Sequence, residues 1–342
     1  MEELIIPQQS KTQGYKLVCA KLGIMMSVYF LCRTAAGMCI ALLYRYAGGL
    51  GGTVAYVMAS TINVMLVYMV PLLSTAIIFK SFAYYEGKLP ELYKKPNRLA
   101  RALGSFPAMY GLGYGTSLLT FFFSWLISLG IGGDNDITEF FRPVTIEVPT
   151  NLISALVMVF LLVVIAPVFE EIWMRGIVYD ALKPYGNGIA IVISSILFGL
   201  MHGSLNMLFY TTALGLALGY VRYATGSLFA VTILHALINA VAAGMLLFST
   251  LTFITDEENL LINTISNIYL VAMLALIVVG IAAFLMRIPR IRKYKIENAW
   301  QGVSGRRKFV LFLASVPTLI MLILAVNEHA GNPLLREFMK LL

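Results

Sequence analysis

Charge is scarce in this sequence. Asp, Glu, Lys and Arg make up only 12% of its 342 residues, about half the share found in soluble globular domains. With 59% of residues hydrophobic and a mean hydropathy of +0.84, that deficit excludes a soluble globular enzyme. Other absences narrow the reading. The three cysteines, Cys19, Cys32 and Cys39, fall in or near the first apolar segment with no CxxC pair, which argues for core thiols rather than a metal or redox site. No HExxH motif is present, and no internal repeat of the kind that marks inverted-repeat transporters. The short alternating strands of an outer-membrane barrel are missing too. The opening stretch MEELIIPQQSKTQGYK is polar for too long, with no small-residue cleavage site, to be expected to act as a removable signal peptide.

What the chain does have is apolar runs of roughly 18 to 25 residues, each long enough to cross about 30 Å of hydrocarbon as a helix. The expected fold is all-α: a polytopic transmembrane helical bundle of about nine spans, at 22–43, 54–79, 107–131, 150–180, 187–203, 207–222, 227–248, 264–286 and 309–326. The net charge of +8 sits in the connections, which speaks for topology rather than for a nucleic-acid partner. Basic loops at 80–105 and 287–308, the latter with RIPRIRKYK and GRRK, mark one face as cytoplasmic, and GGDNDITEFFRPVTIEV and STLTFITDEENL mark the other. An N-terminus on the cytoplasmic side closes the alternation, and a bacterial plasma membrane is the expected location. Three regions follow: an N-terminal pair of spans with a basic loop (1–105), a central core (106–250) with its motifs within 150–248, and a C-terminal pair with a tail (251–342).

Inside these apolar segments a few polar residues stand out, and an ionisable group at membrane depth is by default a functional candidate. In FEEIWMRG, Glu171 and Arg175 are spaced i, i+4 with the acid first, the favourable order for a helical ion pair. Glu170 points about 100° away and has Met174 at its own i+4 position, so it is left without a local partner and suits the role of general base. Pro167 removes one backbone hydrogen bond just upstream and is expected to kink the helix. Two more pairs follow, each on one helix face: Phe198 with His202 on the fifth segment, and His235 with Asn239 on the seventh. Counting about 1.5 Å per residue from the cytoplasmic helix ends puts Glu170, His202, His235 and Asn239 at similar depth. Arg33, within the first span, is explained by snorkelling or a cytoplasmic partner.

Taken in order on successive helices, Glu170-Glu171-x-x-x-Arg175, Phe198-x-x-x-His202 and His235-x-x-x-Asn239 resemble the motifs of the CPBP intramembrane protease family, also called ABI. That family includes the type II CAAX prenyl endopeptidases and bacteriocin-processing or self-immunity proteins. The resemblance spans a core of four helices. It implies that Glu170 and His202 activate a water, that His235 and Asn239 stabilise an oxyanion, and that Arg175 and Glu171, with Phe198, support the site. It favours a mechanism without a cofactor, with a zinc site built from Glu170, His202 and His235 as the open alternative. The expected function is an intramembrane endopeptidase acting on a membrane-associated, lipid-modified or bacteriocin-like peptide, with the lipid bilayer and a peptide or protein substrate as partners. A non-proteolytic immunity or peptide-export partner is the second reading, and a proton-coupled transporter the third.

Overall fold

The computed structural model describes residues 8–46, 51–79, 93–96, 99–131, 149–255, 259–293, 296 and 303–329. The acidic connection at 132–148, the charged end of the other connection at 256–258, most of the basic loop at 80–98 and the tail beyond 329 lie outside the described residues. Among the described residues the secondary structure is helical throughout, without strands. The main helices are α1 (Gln8–Tyr46), α2 (Gly52–Phe79), α3 (Phe106–Ile131), α4 (Leu152–Tyr185), α5 (Asn187–Leu200), α6 (Leu205–Thr225), α7 (Leu228–Ile254), α8 (Leu260–Lys293), α9 (Gly305–Leu313) and α10 (Val316–His329).

The chain is an all-α polytopic bundle, and each of the nine apolar segments falls on a helix or helix pair. Five helices, α1, α2, α4, α7 and α8, are individually long and apolar enough to cross a membrane, and α9 with α10, bent by 72°, makes a sixth if the pair is one span. The difference from nine is clearest at α5. Its 14 residues reach about 21 Å, well short of a hydrocarbon core. The basic stretch at 287–293 also differs from expectation, continuing α8 as helix instead of forming a loop.

Several helix starts are written in the sequence. Asn151, Ser204 and Ser227 hold extended backbone and accept, through their side chains, from the amides of Ser154, Met207 and Ala230, so α4, α6 and α7 begin where an N-cap residue stands. Gly226 ends α6 with φ of 67°, a conformation that favours glycine. Between α5 and α6 the hairpin is tight: a Cβ on Gly199 would lie 2.1 Å from Thr212 Oγ1, so only glycine lets the two backbones approach this closely.

Three stretches wind wider than an α-helix. At Val64–Met69 in α2, and at Leu161–Ile165 and Ile172–Val178 in α4, the backbone closes π-type turns, with amides reaching five residues back: Val70 to Met65, Ala166 to Leu161 and Tyr179 to Met174. The first two end two residues before Pro71 and Pro167. Each proline lacks the N–H that would bond four residues back, and its ring crowds that carbonyl, so the helix opens there. The kink expected at Pro167 takes this form.

The apolar core is in two parts. One gathers α1 with Trp173, Met174 and Tyr179 of α4, α5, Phe312 and Met321. The other gathers Met109 and Tyr110 of α3, Leu214 and Leu218 of α6, Leu234 and Ile238 of α7, and Ile277 of α8. The polar residues of α4 lie where the two clusters meet, because Arg175 reaches across to the Gly215 carbonyl of α6 at 3.2 Å.

Candidate active site

Glu171 is fully buried, and its carboxylate oxygen Oε1 is shared. Arg175 Nη1 donates to it at 3.0 Å and His235 Nδ1 lies 2.8 Å away. The i, i+4 ion pair expected from spacing is therefore present, and it continues into a third residue from α7. Since a carboxylate only accepts, His235 carries its proton on Nδ1, which turns Nε2 toward Glu170; that nitrogen is 3.8 Å from Glu170 Oε2. Arg175 has further contacts: its guanidinium lies 4.4 Å over the Phe198 ring, and its own backbone carbonyl accepts from Arg222 Nε at 3.2 Å.

Glu170 has a different setting. It is 7% exposed and lines a cavity of about 380 Å³ together with His202, Tyr68, Asn63, Arg33 and Glu328. Tyr68 Oη donates to Glu170 Oε1 at 3.2 Å, from the π segment of α2. His202 is not on α5 itself, as its spacing from Phe198 suggested, but in the turn that follows. Its Nδ1 is 2.8 Å from the Phe198 carbonyl. A carbonyl can only accept, so Nδ1 is the protonated nitrogen, and Nε2 keeps its lone pair.

Phe198 touches three members of the group. Its ring packs edge-on against His202, with centroids 4.9 Å apart, and against His235, at 5.6 Å, with the Arg175 guanidinium on its face. Asn239 stands one helical turn beyond His235 and donates through Nδ2 to the Leu162 carbonyl at 2.8 Å, within the second π segment. It does not line the cavity, and neither does His235. The structure thus brings Glu170 and His202 to one wall, sets His235 directly behind Glu170, and spends an amide hydrogen of Asn239 on backbone.

Sequence reasoning missed Tyr68 and misread Arg33. Arg33 pairs with Glu328 of α10 and donates to Tyr29 Oη at 3.2 Å and to the Met201 carbonyl at 2.8 Å, so its guanidinium is held inside the bundle and snorkelling does not describe it. The available signals were a tyrosine three residues before a proline in an apolar span, and an arginine too far inside α1 to reach either end. For the zinc alternative, no three His, Cys, Asp or Glu side chains among the described residues are grouped to hold a metal ion. His235 Nδ1 is taken by Glu171 and His202 Nδ1 by the Phe198 carbonyl, which leaves Nε2 of each ring as the nitrogen that could hold a metal beside Glu170, so these bonds do not decide between the two alternatives.

Fold and site together define a class, the multi-pass α-helical membrane proteins with a buried glutamate–histidine centre. Comparison points to a family: residues 152–241 match the model of the family described as "Type II CAAX prenyl endopeptidase Rce1-like". The matched stretch holds all three motifs, which bears out the resemblance drawn from them. The chain is also 25% identical over 168 residues to a Bacillus subtilis (strain 168) protein named "Putative membrane peptidase YdiL". That alignment covers 49% of this chain and 64% of the relative, slightly under two thirds of its length. No solved structure matches.

Proposed function

We propose that the protein is an intramembrane endopeptidase that hydrolyses a peptide bond of a membrane-associated peptide, lipid-modified or bacteriocin-like, using a water activated by Glu170 and His202. The observation that carries this reading is the division of labour around one cavity. Glu170 and His202 face the open volume, while the groups behind them are fixed by Glu171, Arg175 and Phe198.

In this mechanism the Glu170 carboxylate and the lone pair on His202 Nε2 orient a water and take its proton as it attacks the peptide carbonyl. Proton removal by a positioned base contributes about 10²- to 10⁴-fold. The family resemblance gives the developing oxyanion to His235 and Asn239, which stand behind the cavity wall: His235 donates from Nε2 only after the proton taken from water has passed by way of Glu170 to that nitrogen, and Asn239 donates its second amide hydrogen; one donor of this kind supplies about 3 kcal/mol. Glu171 and Arg175 hold the histidine and do not meet substrate. Lys183, Arg306, Arg307 and Lys308, the last of them bonded to Tyr15 of α1 and to Tyr185, support reading that end as the cytoplasmic face, with the N-terminus on the same side.

The test is cleavage by the purified full chain in lipid nanodiscs. Glu170→Gln abolishes processing while insertion and thermal melting stay as in wild type. A Glu170→Gln protein that still cleaves overturns Glu170 as the group that activates the water, and one that no longer cleaves yet still protects cells assigns the protein to the non-proteolytic class instead.

A further inference from the structure

The turn that carries His202 sits at the end of a helix too short to cross the bilayer, so its peptide groups lie among other helices rather than in water. Carbonyls at a helix C-terminus have no partner within the helix, and at membrane depth the protein must supply donors. For α5 the account closes in a specific way. The Phe198 carbonyl is taken by the His202 ring. The Met201 carbonyl, one residue before His202, receives two donors from α1: Tyr29 Oη at 2.9 Å and Arg33 Nη1 at 2.8 Å. Arg33 also donates to Tyr29 Oη, and its Nε is held by Glu328 of α10. Gly203, on the other side of His202, takes φ of 70°, and a Cβ there would lie 2.7 Å from Arg33 Nη2. The guanidinium therefore braces the turn on both sides of the histidine.

We infer that Tyr29, Arg33 and Glu328 form a clamp that positions His202, extending the catalytic machinery to α1 and α10, outside the family-matched residues 152–241. The inference rests on the functional reading given above. These are positioning residues, acting through the Met201 carbonyl. Arg33 suits this because its planar fork serves Glu328 with one nitrogen and Met201 with another, which a lysine cannot reproduce.

A charge swap separates this role from simple stabilisation. Arg33→Glu with Glu328→Arg restores an ion pair between α1 and α10 but leaves residue 33 with no donor for Met201. The experiment uses the full chain in nanodiscs, reading thermal melting alongside the rate at which diethylpyrocarbonate modifies His202, located by mass spectrometry. In Arg33→Ala and in the swapped protein, His202 is modified roughly tenfold faster than in wild type, the factor for losing one charge-assisted hydrogen bond. The swapped protein melts like wild type, and Arg33→Lys falls between. Wild-type modification in both the alanine and the swapped variants overturns the clamp, as does a swapped protein whose His202 returns to wild-type behaviour along with its melting temperature. Glu170→Gln, run beside them, leaves His202 modification unchanged, so failure of the clamp and failure of the protease reading appear in different measurements.

Discussion

Glu170 and Glu171 are consecutive residues in opposite circumstances. Glu171 is sealed among Arg175, His235 and apolar side chains, and its second oxygen, Oε2, has no hydrogen-bond partner among the described residues. Glu170, about 100° further round the same helix, looks into a cavity with a tyrosine on one oxygen and a histidine near the other. The half built on Glu171 is architecture, and the half built on Glu170 keeps open space beside a carboxylate. A helix bearing two adjacent acids divides them between these tasks because successive side chains cannot share a face.

The largest effect that tests this contrast comes from exchanging each acid for its amide. Glu170→Gln lowers the cleavage rate by about 10²- to 10⁴-fold with normal melting, whereas Glu171→Gln is expected to lower the melting temperature first and activity through it; equal losses by the same route in both would erase the distinction. Next comes Arg175→Met, which strands the buried Glu171 carboxylate and costs about 3–5 kcal/mol of stability, read as loss of folded protein after detergent extraction. A smaller change is expected from Tyr68→Phe, which removes one hydrogen bond to Glu170 and leaves the Glu171 side untouched: about a tenfold fall in kcat with unchanged melting. The smallest is none: chelator treatment leaves cleavage at its starting rate, and a loss restored by zinc would return Glu170, His202 and His235 to the role of ligands.

The parts of the site that were legible in the sequence are those encoded by local spacing. Glu171 and Arg175, four apart, meet as their spacing requires, and so do Phe198 and His202, though through a carbonyl and a turn rather than along a helix. The missing local partner of Glu170 was also readable, as a vacancy at Met174. What filled it was not: Tyr68 lies 102 positions away, and His235 of α7 comes later in the chain. The same holds for Arg33 and Glu328, 295 positions apart. Asn239 shows a subtler limit. Its amide faces the Leu162 carbonyl only because the backbone at Leu161–Ile165 winds too wide, and apolar periodicity carries no sign of such a turn except the proline after it. The helical class followed from hydropathy alone, but the span number did not, since an apolar run of 14 helical residues reads like a longer one until its ends are located.

The placement of charge on α4 has a consequence for how the chain enters the bilayer. Within the described residues, the most apolar stretch of α4 reaches a mean hydropathy of 3.0, the highest among the candidate spans, yet the same helix carries Glu170, Glu171 and Arg175. A charged residue at the centre of an inserting helix costs about 2.5–3.5 kcal/mol on the biological scale. When α4 leaves the ribosome, Glu171 already has Arg175 within its own turn, while Glu170 must wait for α7 to bring His235. The surplus of leucine, valine and isoleucine upstream then works as ballast during biogenesis. It lets the membrane accept the acid before the helix that will stand behind it has been made.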